Sequence, residues 1–149
     1  MAQIKRGTAE LTFAPEKAAL KVSKVEAARR QAEAAIDAFE KGNFDIAITL
    51  AAAAEGMLPD DAAASLWPVM KNNQKAIDVF ENPKRWADIL NQDVHWLKHQ
   101  TKDYPSALEL TAEGASYVVA RAISKFDPWS ERMKDFSVWF LREVVDKED

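Results

Sequence analysis

"SKVEAARRQAEAAIDAFEKGNFDIAITLAAAAEGML", residues 23–58, decides the fold. Ser23 followed by Glu26 is a capping box: the hydroxyl takes a backbone N–H of the first turn and the carboxylate reaches back. From there Val25, Ala28, Ala32, Ala35, Ile36 and Phe39 recur at helical spacing and form one apolar stripe. Gly42 follows the last of them, where a left-handed residue ends a helix. A second helix is expected from Asn43 or Phe44, with Ala47, Ile48, Leu50, Ala51, Ala54 and Met57 along it and Gly56 and Pro59 as stops. So short a link makes the two helices antiparallel neighbours. The run Ala51 to Ala54 admits another backbone at close range.

Outward from this hairpin, residues 1–20 read as a loose arm with a short alternating piece, and residues 21–149 as a single helical domain. "DDAAASLWPVM" opens as a short helix that Pro68 interrupts, with another from Val69 to Phe80. In "ENPKRWADIL", Asn82 is an N-cap and Pro83 the first helical residue of a helix reaching Gln100. Trp86, Leu90, Val94 and Leu97 face inward on it. After the loop "TKDYPSALEL", a helix from Thr111 carries Ala115, Val118, Val119, Ala122, Ile123 and Phe126. Asp127 and Pro128 cap a last one, with Trp129, Met133, Phe136, Phe140 and Val144 at helical spacing. The expected fold is an all-α, five- to six-helix up-and-down bundle.

Composition agrees. The 149 residues are 48% hydrophobic, enough for one core, and hold only four glycines. No apolar run is long enough to span a membrane. "MAQIKRGTAELTFAPEK" lacks the apolar region of a secretion signal, so a cytoplasmic location is expected. The absence of cysteine excludes disulfides and thiolate metal sites. A net charge of −4 argues against non-specific nucleic-acid binding, which needs a broad basic surface. Between Gly42 and Met70 every charge is negative, whereas Lys84, Arg85, Lys98 and Lys102 surround the histidines.

Both histidines lie in "NQDVHWLKHQ", residues 91–100. One helical turn apart, His95 and His99 share a face with Asn91, while Val94 and Leu97 turn toward the core. The face reads in three ways. It is polar lining at a surface or subunit boundary; or a zinc chelate, since histidines at i and i+4 bind metal; or the site that a family resemblance, set out below, implies. The metal reading lacks a third ligand. Trp96 also stands where the metalloprotease motif has its glutamate, and neither metal nor cofactor is expected.

The hairpin "EAARRQAEAAIDAFEKGNFDIAITLAAAAEGML", followed by a helix with a polar residue and a histidine four apart, resembles the HEPN superfamily over roughly residues 23–126. The segment "HWLKH" is also similar to segments of small uncharacterised bacterial proteins. Active HEPN members are metal-independent ribonucleases, often toxins or defence effectors. Their motif is arginine, a polar residue, three variable residues and histidine. The resemblance puts its histidine on His99 and its polar position on His95, but its arginine on Val94, which carries no charge. It also implies a homodimer in which the motif helices meet.

Cleavage by 2′-hydroxyl attack needs a proton acceptor, a proton donor and a cation near the phosphorane. Imidazoles perform both proton transfers near neutral pH, so His95 and His99 can divide them. The cation would come from Lys98, Lys102 or an arginine on another helix such as Arg121. With valine in the motif, the expected function is a HEPN-like, non-catalytic binding or regulatory module. Its ligand is a partner protein or a nucleotide-bearing molecule held near His95, His99, Asn91, Lys98, Lys102 and Trp96. The alternative is a metal-independent endoribonuclease using His99 and His95. Trp86 and Trp129 are expected in the core and Trp96 in the wall of the histidine pocket. Trp139 lies off its helix's stripe, either at a dimer contact or under the N-terminal arm.

Overall fold

The computed structural model describes residues 13–62, 88, 91–100 and 104–145. Five α-helices and no strand occur among them. They are α1 (Lys24–Glu40), α2 (Phe44–Met57), α3 (Gln92–Lys98), α4 (Ala112–Ile123) and α5 (Glu131–Phe140), the last continued by a π-helical turn at Leu141–Val145. They pack as an all-α bundle. The helices expected between residues 60 and 80, the start of α3's segment at Asn82 and Pro83, and the inward positions Trp86 and Leu90 lie outside the described residues.

The N-terminus of α1 is built as its residues demand. Ser23 Oγ accepts the Glu26 backbone N–H at 3.1 Å, and Glu26 accepts the Ser23 N–H at 3.4 Å. Before it, residues 13–22 have no regular structure and are exposed. Ser23→Ala is expected to remove about 1 kcal/mol of stability, read as a lower urea midpoint at unchanged slope. At the other end Gly42 sits at φ +80°, the conformation that turns the chain back within three residues. The Asn43 N–H then bonds Ala38 O at 2.9 Å and α2 runs antiparallel to α1.

Alanine lines the seam between them. Ala28, Ala32 and Ala35 of α1 and Ala47, Ala51 and Ala54 of α2 are at most 1% exposed. Helix α4 packs against both members of this hairpin, α3 against α2, and α5 against α1 and α4. The shared core holds Ile36, Ile48, Val119, Ile123, Met133 and Phe136. Val144 in the π-helical turn is buried too, so the α5 stripe runs beyond the α-helical hydrogen bonds.

Two inward positions differ from expectation. Val25 is 53% exposed, because it lies in the first turn of α1 beside the exposed residues 13–22, where no described helix covers it. Trp129 is 37% exposed and precedes α5. Ser130, not Asp127, is the N-cap, its hydroxyl accepting the Met133 N–H at 3.4 Å. A cap residue is itself non-helical, so Trp129 falls off the stripe. Its indole N–H instead donates to Ile123 O at 2.8 Å, closing the C-terminus of α4.

The C-terminus of α2 is closed by a buried lysine. Lys125 Nζ donates to Glu55 O at 2.8 Å and Leu58 O at 2.9 Å, and pairs with Asp60 at 3.2 Å. The last carbonyls of a helix have no partner within it, and a cation there also meets the negative end of the helix dipole.

Candidate functional site

Helices α2, α3 and α4 enclose a cleft of about 260 Å³. Its polar wall comes from Glu55 of α2, from Asn91, His95, Lys98 and His99 on and around α3, and from Arg121 of α4. Buried Val94 lies behind the imidazoles.

The helix under the histidines ends sooner than expected. Helix α3 stops at Lys98, and His99 is extended at φ −126° and ψ 139°. The two rings nevertheless stay together, their centroids 6.0 Å apart and their planes at 73°. The reason is local. The Cα of a C-cap residue is placed by the residues before it, and the His99 N–H still donates to His95 O at 2.9 Å. The change of backbone direction begins only at His99 itself. Neither imidazole nor the Lys98 ammonium has a hydrogen-bond or ion-pair partner among the described residues. Lys98 and His99 are exposed and His95 is half-buried.

Arg121 is different in kind. Its Nη2 pairs with Glu55 Oε1 at 2.7 Å and its Nη1 donates to Asn91 Oδ1 at 3.3 Å. The two ion-pair side chains are 7% and 12% exposed. Glu55 Oε2 is buried and accepts no hydrogen bond among the described residues. The guanidinium therefore reaches the cleft with its charge already balanced by a carboxylate inside the bundle.

Of the residues singled out in the sequence, Asn91, His95, Lys98 and His99 meet at this cleft. Lys102 lies outside the described residues. Trp96 does not wall the cleft, because its indole N–H is drawn away to Pro105 O at 2.8 Å. With Tyr104 and Pro105 it lines a neighbouring groove of about 440 Å³, in which Lys98 and His99 also take part. Glu55 was not anticipated. Its signal is its position four residues after Ala51 and seven after Ile48, which continues the buried stripe of α2. Among the described residues, no three His, Asp or Glu side chains gather closely enough to hold a metal ion.

Asp93 lies on the far side of α3, its Oδ2 against the α4 N-terminal turn. A Cβ on Gly114 would meet that oxygen at 3.2 Å, so the bare glycine makes room for it. Burial pushes the Asp93 carboxyl above the ordinary 3.8. The fold thus prefers the protonated form. Stability from this group is full below 3.8 and declines as pH rises through the higher folded value. Asp93→Asn is accordingly expected to gain stability over the wild type at pH 7, with the gain shrinking to nothing on acidification. Urea unfolding of both proteins at a series of pH values checks it.

No protein-family model, curated protein or solved structure matches the chain. Among the described residues no helix is long and apolar enough to cross a membrane.

Proposed function

We propose that the protein is a non-catalytic binding module that holds a phosphate-bearing ligand, a nucleotide, at the cleft edged by His95, Lys98 and His99. One observation carries this. The cleft's groups without partners are the ones that bear or can take positive charge, whereas Arg121 is neutralised by Glu55 at 2.7 Å. The Lys98 ammonium attracts an anion, and it and the imidazole N–H groups donate hydrogen bonds to the anion's oxygens. Asn91 adds a polar group on the same rim. The hairpin and the spacing of the histidines support a HEPN-like shell in which Val94 has replaced the arginine of the catalytic motif. A homodimer with the α3 segments facing each other belongs to the same reading, and light scattering at micromolar concentration tests it.

Calorimetric titration with adenosine monophosphate, and with adenosine as the phosphate-free control, tests the ligand. The monophosphate is expected to bind at least tenfold more tightly than adenosine. His99→Ala and Lys98→Ala are expected to remove most of that preference. Equal binding of the two, or no binding of either, overturns the proposal.

The edge-to-face imidazoles, 6.0 Å apart, favour a second reading, an endoribonuclease in which they divide acid and base roles. Incubation with labelled single-stranded RNA in EDTA separates the two. The binding module leaves the RNA intact, whereas cleavage by the wild type that disappears in His99→Ala establishes the enzyme.

A further inference from the structure

At the turn end of the hairpin, the C-terminus of α1, the start of α2, Ala112 at the start of α4 and one face of α5 line a groove of about 400 Å³. Its walls are largely aromatic. Phe39 is surrounded by Phe44 at 5.7 Å, Phe136 at 5.5 Å and Trp139 at 5.1 Å between ring centroids. The last two meet Phe39 edge to face, at 82° and 70°. Trp139 remains 37% exposed although it belongs to this cluster. Concave, mostly apolar spaces of this size with a few polar groups at the edge are the usual form of a small-molecule site.

The edge is acidic. Arg132 pairs with Asp37 and with Glu40, the latter at 2.8 Å, so one guanidinium answers two carboxylates. Asp135 also lines the groove, is exposed, and has no hydrogen-bond or ion-pair partner among the described residues. Of the charged residues that line the groove, two carboxylates, Glu40 and Asp135, stand against one cation, Arg132, which leaves an excess of negative charge beside rings whose faces also attract cations.

We propose that this groove is a second binding site, separate from the histidine cleft, for a small organic cation: an amine carrying an aromatic or branched apolar body. The body fills the space between Phe44, Phe136 and Trp139, and the ammonium meets Asp135 and the face of the indole. A neutral apolar ligand gains only the burial, and an anionic one meets the carboxylates.

The test is NMR titration of the full-length protein with 2-phenylethylammonium and with 2-phenylethanol, its neutral counterpart. The ammonium is expected to shift the signals of Trp139 and Phe44 and to bind at least tenfold more tightly than the alcohol. Asp135→Asn, an exposed and conservative change, is expected to reduce that preference at least threefold. Trp139→Ala is expected to weaken both probes. The proposal is overturned if neither probe perturbs the groove at millimolar concentration, or if both bind equally. It is also overturned if Trp139 in the free protein is shielded from a soluble relaxation agent. In that case a second copy of the chain fills the groove if scattering gives a dimer, and another segment of the same chain fills it if scattering gives a monomer.

Discussion

Arg121→Ala is expected to lower the free energy of unfolding by about 3–5 kcal/mol at neutral pH. The substitution leaves Glu55 charged inside the bundle with its partner gone, and the stranded carboxylate causes most of the loss. Attraction within the intact pair does not set the figure, because bringing both charges out of water offsets much of it. The double replacement Glu55→Leu with Arg121→Met is therefore expected to fall within about 1 kcal/mol of the wild type, or above it. Glu55 Oε2, already short of a hydrogen bond, points the same way. Urea unfolding of the three proteins gives the comparison. A single-variant loss below about 1 kcal/mol would mean the guanidinium is loosely held. It would then be available to a phosphorane, and the nuclease reading would gain at the expense of the binding module.

Ile48→Ala is the second large effect, about 2–5 kcal/mol. Ile48 is 0% exposed on α2 and belongs to the shared core. Removing its outer carbons forfeits their burial and leaves a space that neighbouring alanines cannot fill, having no longer side chain to swing into it. The control stands two residues earlier. Ile46 is 49% exposed, and Ile46→Ala is expected to change stability by less than about 0.5 kcal/mol. Equal losses at the two positions would contradict the described orientation of α2.

What could be read from the residues is what short-range physics controls. The Ser23–Glu26 cap, the turn at Gly42, the helix start at Thr111 and the stripes of α2, α4 and, after Val25, α1 depend on neighbours three or four positions away, and the structure has them. Trp129 was misread because cap geometry and helical periodicity compete there, and the Ser130 cap prevailed. His99 was placed inside a helix because nothing nearby marks a stop after Lys98, yet its ring remained beside His95. The pairing of Glu55 with Arg121 joins residues 66 positions apart and follows only once α2 and α4 are docked. Each charge alone resembled a solvated one, and only the place of Glu55 on the apolar stripe of α2 hinted otherwise. The aromatic groove is tertiary in the same way, since Phe39 and Phe44 belong to the hairpin and Phe136 and Trp139 to α5.

The alanine seam also bears on the order of assembly. A methyl group has no rotamers to immobilise, so zipping α1 onto α2 is opposed almost entirely by backbone ordering. Its contacts also span little chain, which favours early closure. The hairpin is thus the natural nucleus onto which the later helices condense, and Ala51→Gly should slow refolding in stopped-flow experiments while leaving the unfolding rate nearly unchanged.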